Sequence, residues 1–213
     1  MKVSAPASAG DDRSASAWAV VVRIAAAVAM IAYPVVVWLG LSGAAEGRSS
    51  ARGIALLLLA VIAPAVFAGM RRSQRQAVRG LAAVPLVTVG ALALAAALNA
   101  SDCLLAVPVA INAVLLVAFG STLRAGAMPM IERFACLQDP ELSPAKQRWC
   151  RAWTFVWCLF FVLNGGAALG LAWLAPMQWW AVYNGLVAYV LIGALLALEW
   201  VLRRRRFATG ARG

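Results

Sequence analysis

Six long apolar runs separated by short polar gaps account for most of the chain: about 17–41, 53–70, 81–100, 103–123, 152–174 and 179–202. Each holds 18 to 25 residues, close to the ~20 that a helix needs to cross a bilayer's hydrocarbon. None alternates apolar and polar residues as a membrane barrel strand does, so helix is the expected form. The predicted fold is all-α: a polytopic membrane helical bundle of about six transmembrane helices. Residues 1–16 are small and polar and read as a flexible tail. Residues 17–202 read as the six-helix membrane domain, and 203–213 as a basic tail. The first run is too long for a signal-peptide core and carries Arg23 within it, so it reads as a retained span.

The longest gap has structure of its own. Met130, Ile131, Phe134 and Leu137 fall on one helical face, with Glu132 and Arg133 on the other. That spacing predicts a short interfacial helix between the fourth and fifth spans. Ser143 followed by Pro144 is an N-cap with proline at the first helical position. A helix starting there can run unbroken into the fifth span, with its first turns outside the hydrocarbon.

Charge orients these elements. Of 19 Lys and Arg residues, sixteen fall in the N-terminal tail, the second-to-third gap, the fourth-to-fifth gap and the C-terminal tail. Only Arg48 and Arg52 fall in the alternate gaps. With six spans the sixteen share one side, which the positive-inside rule makes cytoplasmic, with both termini there. The net charge of +11 is therefore a topological signal, and no nucleic-acid partner is expected. Trp149, Trp153, Trp179, Trp180 and Trp200 lie near predicted span ends, where interfacial aromatic belts form.

Composition narrows the chemistry. The chain has no histidine, which removes Ser–His and Cys–His catalysis and histidine metal ligation. Its cysteines, Cys103, Cys136, Cys150 and Cys158, include no CxxC pair and read as small apolar residues. No catalytic residue, metal site or cofactor is expected. An enzyme would have to use Glu132, Glu141, Glu199 and the cysteines alone, which leaves that question open and leaning against catalysis.

Polar side chains inside apolar spans are the default functional candidates. They are Asn112 in the fourth span, Asn164 in the fifth, and Tyr183 and Asn184 in the sixth. Interhelical hydrogen bonding is the simpler role for each. Gly166 and Gly170 form a small-xxx-small pair that predicts close helix packing. Glu199 and Arg203 are spaced for an i,i+4 ion pair. Lys146, Arg148 and Arg151, with Arg203, Arg204, Arg205 and Arg206, are candidates for lipid contact or for docking a partner on the cytoplasmic side.

Tyr33-Pro34, Phe119-Gly120-Ser121-Thr122-Leu123, Ile131-Glu132-Arg133-Phe134-Ala135, Trp149-Cys150-Arg151 with Thr154, Trp157-Cys158, Phe160-Phe161 with Asn164, Trp180, Tyr183-Asn184-Gly185, Tyr189 and Glu199 form a recurring pattern. It resembles that of an uncharacterised family of small bacterial inner-membrane proteins. Their genes accompany aryl-polyene or other type II fatty-acid-like biosynthesis genes, and some members carry the label "ketosynthase". The match covers about half the chain, and the family has no established catalytic residues to carry over. Condensing enzymes use histidines beside their thiolate, and this chain has none, so the label does not describe its chemistry. The resemblance implies a multi-pass inner-membrane accessory protein of such a pathway, in contact with lipids and docking acyl carrier protein or soluble enzymes. The alternative is a small transporter or flippase for a lipid-like product. Nothing in the sequence sets an oligomeric state.

Overall fold

The computed structural model describes residues 9–44, 50–72, 81 and 83–207, and these are all-helical apart from turns and loops. In chain order the helices are α1 (Ala9–Ala44), α2 (Ala51–Arg72), α3 (Ala83–Leu98), α4 (Ser101–Leu105), α5 (Val107–Ser121), α6 (Met130–Ala135), α7 (Pro144–Leu174), α8 (Met177–Val182) and α9 (Ala188–Phe207). A π-helical turn, Tyr183–Val187, joins the last two. Two continuous helices, Pro144–Leu174 and Met177–Phe207, are long and apolar enough to cross a membrane. Four shorter apolar stretches are Ala27–Gly43, Ala51–Phe67, Ala83–Leu98 and Val107–Ser121.

Several boundaries differ from the sequence expectation, each for a local reason. Helix α1 starts at Ala9, inside the stretch read as a flexible tail, because no proline interrupts residues 9–16. The predicted run 103–123 is divided into α4 and α5. Pro108 has no N–H to continue the ladder, and the chain turns at Ala106 before resuming as α5. At the other end of the molecule the helix continues through Arg203–Arg206 to Phe207, so these arginines are helical rather than part of a tail. Lys2, Arg48, Arg75, Arg79 and Arg212 lie outside the described residues.

The cap at Ser143 forms as its sequence predicts: the Ser143 hydroxyl accepts from the Lys146 N–H at 3.5 Å, and Pro144 opens α7. The 31 residues of α7 make a rod about 46 Å long. Helix α3 ends on Asn99, whose φ of +52° and the Ala100 N–H to Ala95 carbonyl bond of 3.3 Å close a left-handed C-cap. Arg52 completes this end. Its Nε donates to the Ala96 carbonyl at 2.9 Å, and its Nη2 to that of Ala97 at 3.3 Å. A cation on terminal carbonyls complements the helix dipole.

Two apolar cores form. One gathers Tyr33, Val37, Leu58, Leu92, Leu104 and Trp180 from α1–α4 and α8. The other gathers Phe119, Met130, Trp157, Cys158 and Phe161 from α5–α7, with the Phe119 and Phe161 rings edge-to-face at 5.1 Å. Trp180 is fully buried and Trp153 nearly so. Both rings therefore face the protein interior and not its outer surface. Trp180 instead packs edge-on to Tyr33, with ring centroids 6.5 Å apart.

Helix α6 forms where the apolar spacing predicts, and it packs on α7. Met130 is buried, but Leu137 lies beyond the helix end and is exposed. Its first turn is tied down by two threonines. The Met130 N–H donates to the Thr122 hydroxyl at 2.9 Å, and the Ile131 N–H to that of Thr154 at 3.2 Å.

The glycine expectation shifts by one residue. Gly166 and Gly170 face open space, whereas a Cβ at Gly165 would stand 3.0 Å from the Asn112 Cβ. Gly165 therefore sets how closely α5 and α7 approach. Replacing Gly165 with Leu should destabilise the protein by about 1–3 kcal/mol through overpacking. Gly166→Leu should leave thermal unfolding in detergent, followed by circular dichroism, nearly unchanged. Equal melting temperatures for the two variants would contradict this assignment.

Candidate functional site

Between the two cores lies a layer of polar side chains. On α5, Val107 belongs to the first core and Phe119 to the second, with Asn112 between them. On α7 the corresponding residues are Leu171, Phe161 and Asn164. An amide buried in apolar surroundings needs partners, and these two find each other: Asn164 Nδ2 donates to Asn112 Oδ1 at 3.1 Å. The Tyr183 hydroxyl donates to Asn164 Oδ1 at 3.0 Å, and Asn112 Nδ2 donates to the Pro108 carbonyl at 2.8 Å. Three of the four predicted polar residues thus form one chain, from the π turn through α7 to α5. The fourth, Asn184, is not in it. Its Nδ2 donates to the Trp180 carbonyl at 2.9 Å, where the helix passes from α to π geometry. Such π turns recur at functional sites.

Beside this layer is a cavity of about 190 Å³. Asn112 and Asn164 line one part of it and Asn184 another, with Met30, Ile111, Phe160 and Ile192 among the apolar walls. Among the described residues no charged side chain lines it.

Two tyrosines that polarity within the predicted spans did not single out frame the same cavity. Proline removes the N–H that would bond to the carbonyl four residues earlier. Pro34 so vacates the Met30 carbonyl, and Pro108 that of Leu104. The Tyr189 hydroxyl donates to the Met30 carbonyl at 3.2 Å, and the buried Tyr33 hydroxyl donates to the Leu104 carbonyl. Tyr33, Pro34, Pro108 and Tyr189 all line the cavity. An interior proline is a sequence signal for an orphaned acceptor, but its spacing says nothing about which side chain will reach it.

The basic candidates converge at one end of the molecule. Trp149 Nε1 donates to Glu199 Oε1 at 3.3 Å, which brings the start of α7 to the end of α9. Arg203 pairs with Glu199 at 3.5 Å, as the i,i+4 spacing predicts. Arg206 lies over the Trp149 ring at 5.4 Å and Arg204 over Trp200 at 4.1 Å. Arg151 donates to the Leu123 carbonyl. Arg148 and Arg205 are exposed.

Lys146 pairs with Asp139 at 2.9 Å. The Lys146 hydrogen bond and charge hold the Asp139 carboxyl below its usual range. Whatever this exposed pair contributes is present above the ordinary carboxylate range and is lost as pH falls through the lowered value. A cleft of about 240 Å³ at this end is lined by Gln138, Asp139, Lys146, Trp149, Cys150 and Arg203, among others.

The proline–tyrosine pairs make a direct prediction. Tyr33→Phe should cost about 1 kcal/mol, and Tyr189→Phe less because its bond is exposed. Pro108→Ala supplies a new N–H to Leu104, so Tyr33→Phe should cost clearly less in that background. A double-mutant cycle by thermal unfolding in detergent reads the coupling, and strictly additive effects would contradict the pairing.

No protein family, characterised protein or solved structure matches the chain.

Proposed function

We propose that this protein is a multi-pass inner-membrane accessory component of a lipid- or aryl-polyene-type biosynthetic pathway. It has six spans and both termini in the cytoplasm, and its basic end docks acyl carrier protein or soluble pathway enzymes. The observation that carries the docking reading is that Lys146 and Arg203, from two sequence-distant basic groups, line one cleft where the Trp149–Glu199 bond joins α7 to α9. The exposed arginines at this end of the molecule are opposite in charge to an acidic carrier, and such complementarity speeds encounter and sets orientation.

The membrane reading draws on what the bundle exposes. Only 6% of the apolar window of Met177–Phe207 is buried, and Leu163, Trp173, Leu174, Leu186 and Val190 point outward. Exposed apolar surface of this extent is costly in water and costs nothing in lipid. The short stretches of 15–17 residues suit a locally thin or deformed bilayer. Arg52, the described basic residue at the opposite end, is spent on a helix terminus.

A second reading, a small transporter or flippase for a lipid-like product, is favoured by the central cavity and its amides. It predicts sensitivity to Asn112→Leu and Asn164→Leu, but not to neutralisation of the basic end.

Detergent-solubilised protein should retain soluble acyl carrier protein at low salt and release it as salt rises. Replacing Lys146, Arg148, Arg151 and Arg203–Arg206 with Gln should abolish retention. Absence of binding at low salt by a correctly inserted protein would overturn docking and favour transport. Reporter fusions at both termini should give cytoplasmic signals, and a periplasmic signal from either would overturn the topology.

A further inference from the structure

The unspent hydrogen-bonding capacity of the cavity defines a ligand. Asn112, Asn164 and Asn184 are 8%, 6% and 6% exposed. Each amide carries two N–H donors and one carbonyl acceptor. Asn112 and Asn164 each use one N–H and the oxygen, so each keeps one donor. Asn184 uses one N–H on Trp180, and its Oδ1 has no hydrogen-bond partner among the described residues. Polar groups left in this state on a cavity wall can be satisfied by a ligand placed against them.

The cavity's size and charge restrict that occupant. At about 190 Å³ it exceeds the roughly 150 Å³ of an apolar cavity that accepts benzene. It therefore has room for a segment of hydrocarbon chain and one small polar group. With no charged lining residue among those described, an ionised group would be desolvated without a counter-charge. A hydroxyl is the smallest neutral group that both accepts from an amide N–H and donates to an amide oxygen. Among the described lining residues only Tyr189, on α9, is exposed. The mouth therefore opens sideways beside α9, where the outward neighbours Leu186 and Val190 are apolar.

We propose that this cavity binds a neutral amphiphile, an apolar chain bearing a hydroxyl, which enters laterally beside Tyr189. The chain's hydroxyl donates to Asn184 Oδ1 and accepts from the free N–H of Asn112 or Asn164. The proposal rests on the bundle lying in a membrane, and neither on docking at the basic end nor on transport.

The test uses full-length protein in lipid nanodiscs, with radiolabelled dodecanol, dodecane and dodecanoate, each measured above empty discs. Wild type should retain about one dodecanol per chain and favour it about tenfold over both chain-matched probes, the scale of one buried hydrogen-bonded group. Asn184→Leu should remove the preference for dodecanol over dodecane. Ala188→Leu adds bulk on the cavity wall and keeps all three amides in the chain, and it should lower retention of dodecanol to that of empty discs.

Equal retention of dodecanol and dodecane by wild type would overturn the proposal, as would dodecanoate binding as well as dodecanol. Retention unchanged in both variants, folded by circular dichroism, would mean partition into disc lipid only and would also overturn it. Recovery of the protein from cells in the soluble fraction would instead remove the membrane reading beneath it.

Discussion

A backbone carbonyl enclosed by apolar side chains must find a donor, and proline takes one away. Much of this molecule follows from how two such carbonyls are satisfied. Tyr33 reaches from α1 to the Leu104 carbonyl that Pro108 leaves open, and Tyr189 reaches from α9 to the Met30 carbonyl that Pro34 leaves open. Each bond crosses between elements far apart in the chain, so each fixes a helix position as well as filling an acceptor. The first also orients the Tyr33 ring, against which the buried Trp180 packs. Both tyrosines and both prolines border the cavity.

The bundle is uneven. Where α5 meets α7, Gly165 lets the helices approach closely, and aromatic rings from Phe119 to Phe161 fill the space beyond. Helix α9 is held differently. Its attachments are the π turn against Pro34, the Tyr189 hydroxyl, Ile192 and Leu195 on the second core, and the Trp149–Glu199 contact with Phe207 beside it. An element fixed at a few points and apolar on its outward faces is suited to contact with lipid or with another apolar chain. The polar layer of Asn112, Asn164 and Tyr183 lies at the seam between the two cores, where its mutual bonds satisfy part of its hydrogen-bonding capacity.

The basic end illustrates how the same residues serve structure and surface together. Arg203, Arg204 and Arg206 each contact a neighbour within the protein, yet all remain exposed. Contacts of this kind are weak individually, so they orient the guanidinium groups without withdrawing their charge. The Lys146–Asp139 pair does the same on the facing wall of the cleft.

Helical class, the number of apolar runs, the cap at Ser143, the Glu199–Arg203 pair and the polar positions Asn112, Asn164, Tyr183 and Asn184 could all be read from residue order, because each depends on spacing within one run or one turn. The partners could not. Periodicity marks a glycine as small but does not say which face meets a neighbour, so Gly166 and Gly170 stood out where Gly165 does the packing. Position near a span end marks a tryptophan as interfacial, yet Trp180 is in the core because Tyr33 lies beside it. Hydropathy runs smoothly from α4 into α5, while the helix is interrupted at Ala106, two residues before Pro108. By itself the sequence determined which segments are helical and apolar, because those are properties of neighbouring residues. Only packing decided that two tyrosines close two proline gaps and that three amides surround a cavity, because those bonds join residues as many as 159 positions apart, and their distances are set by how the helices fit together.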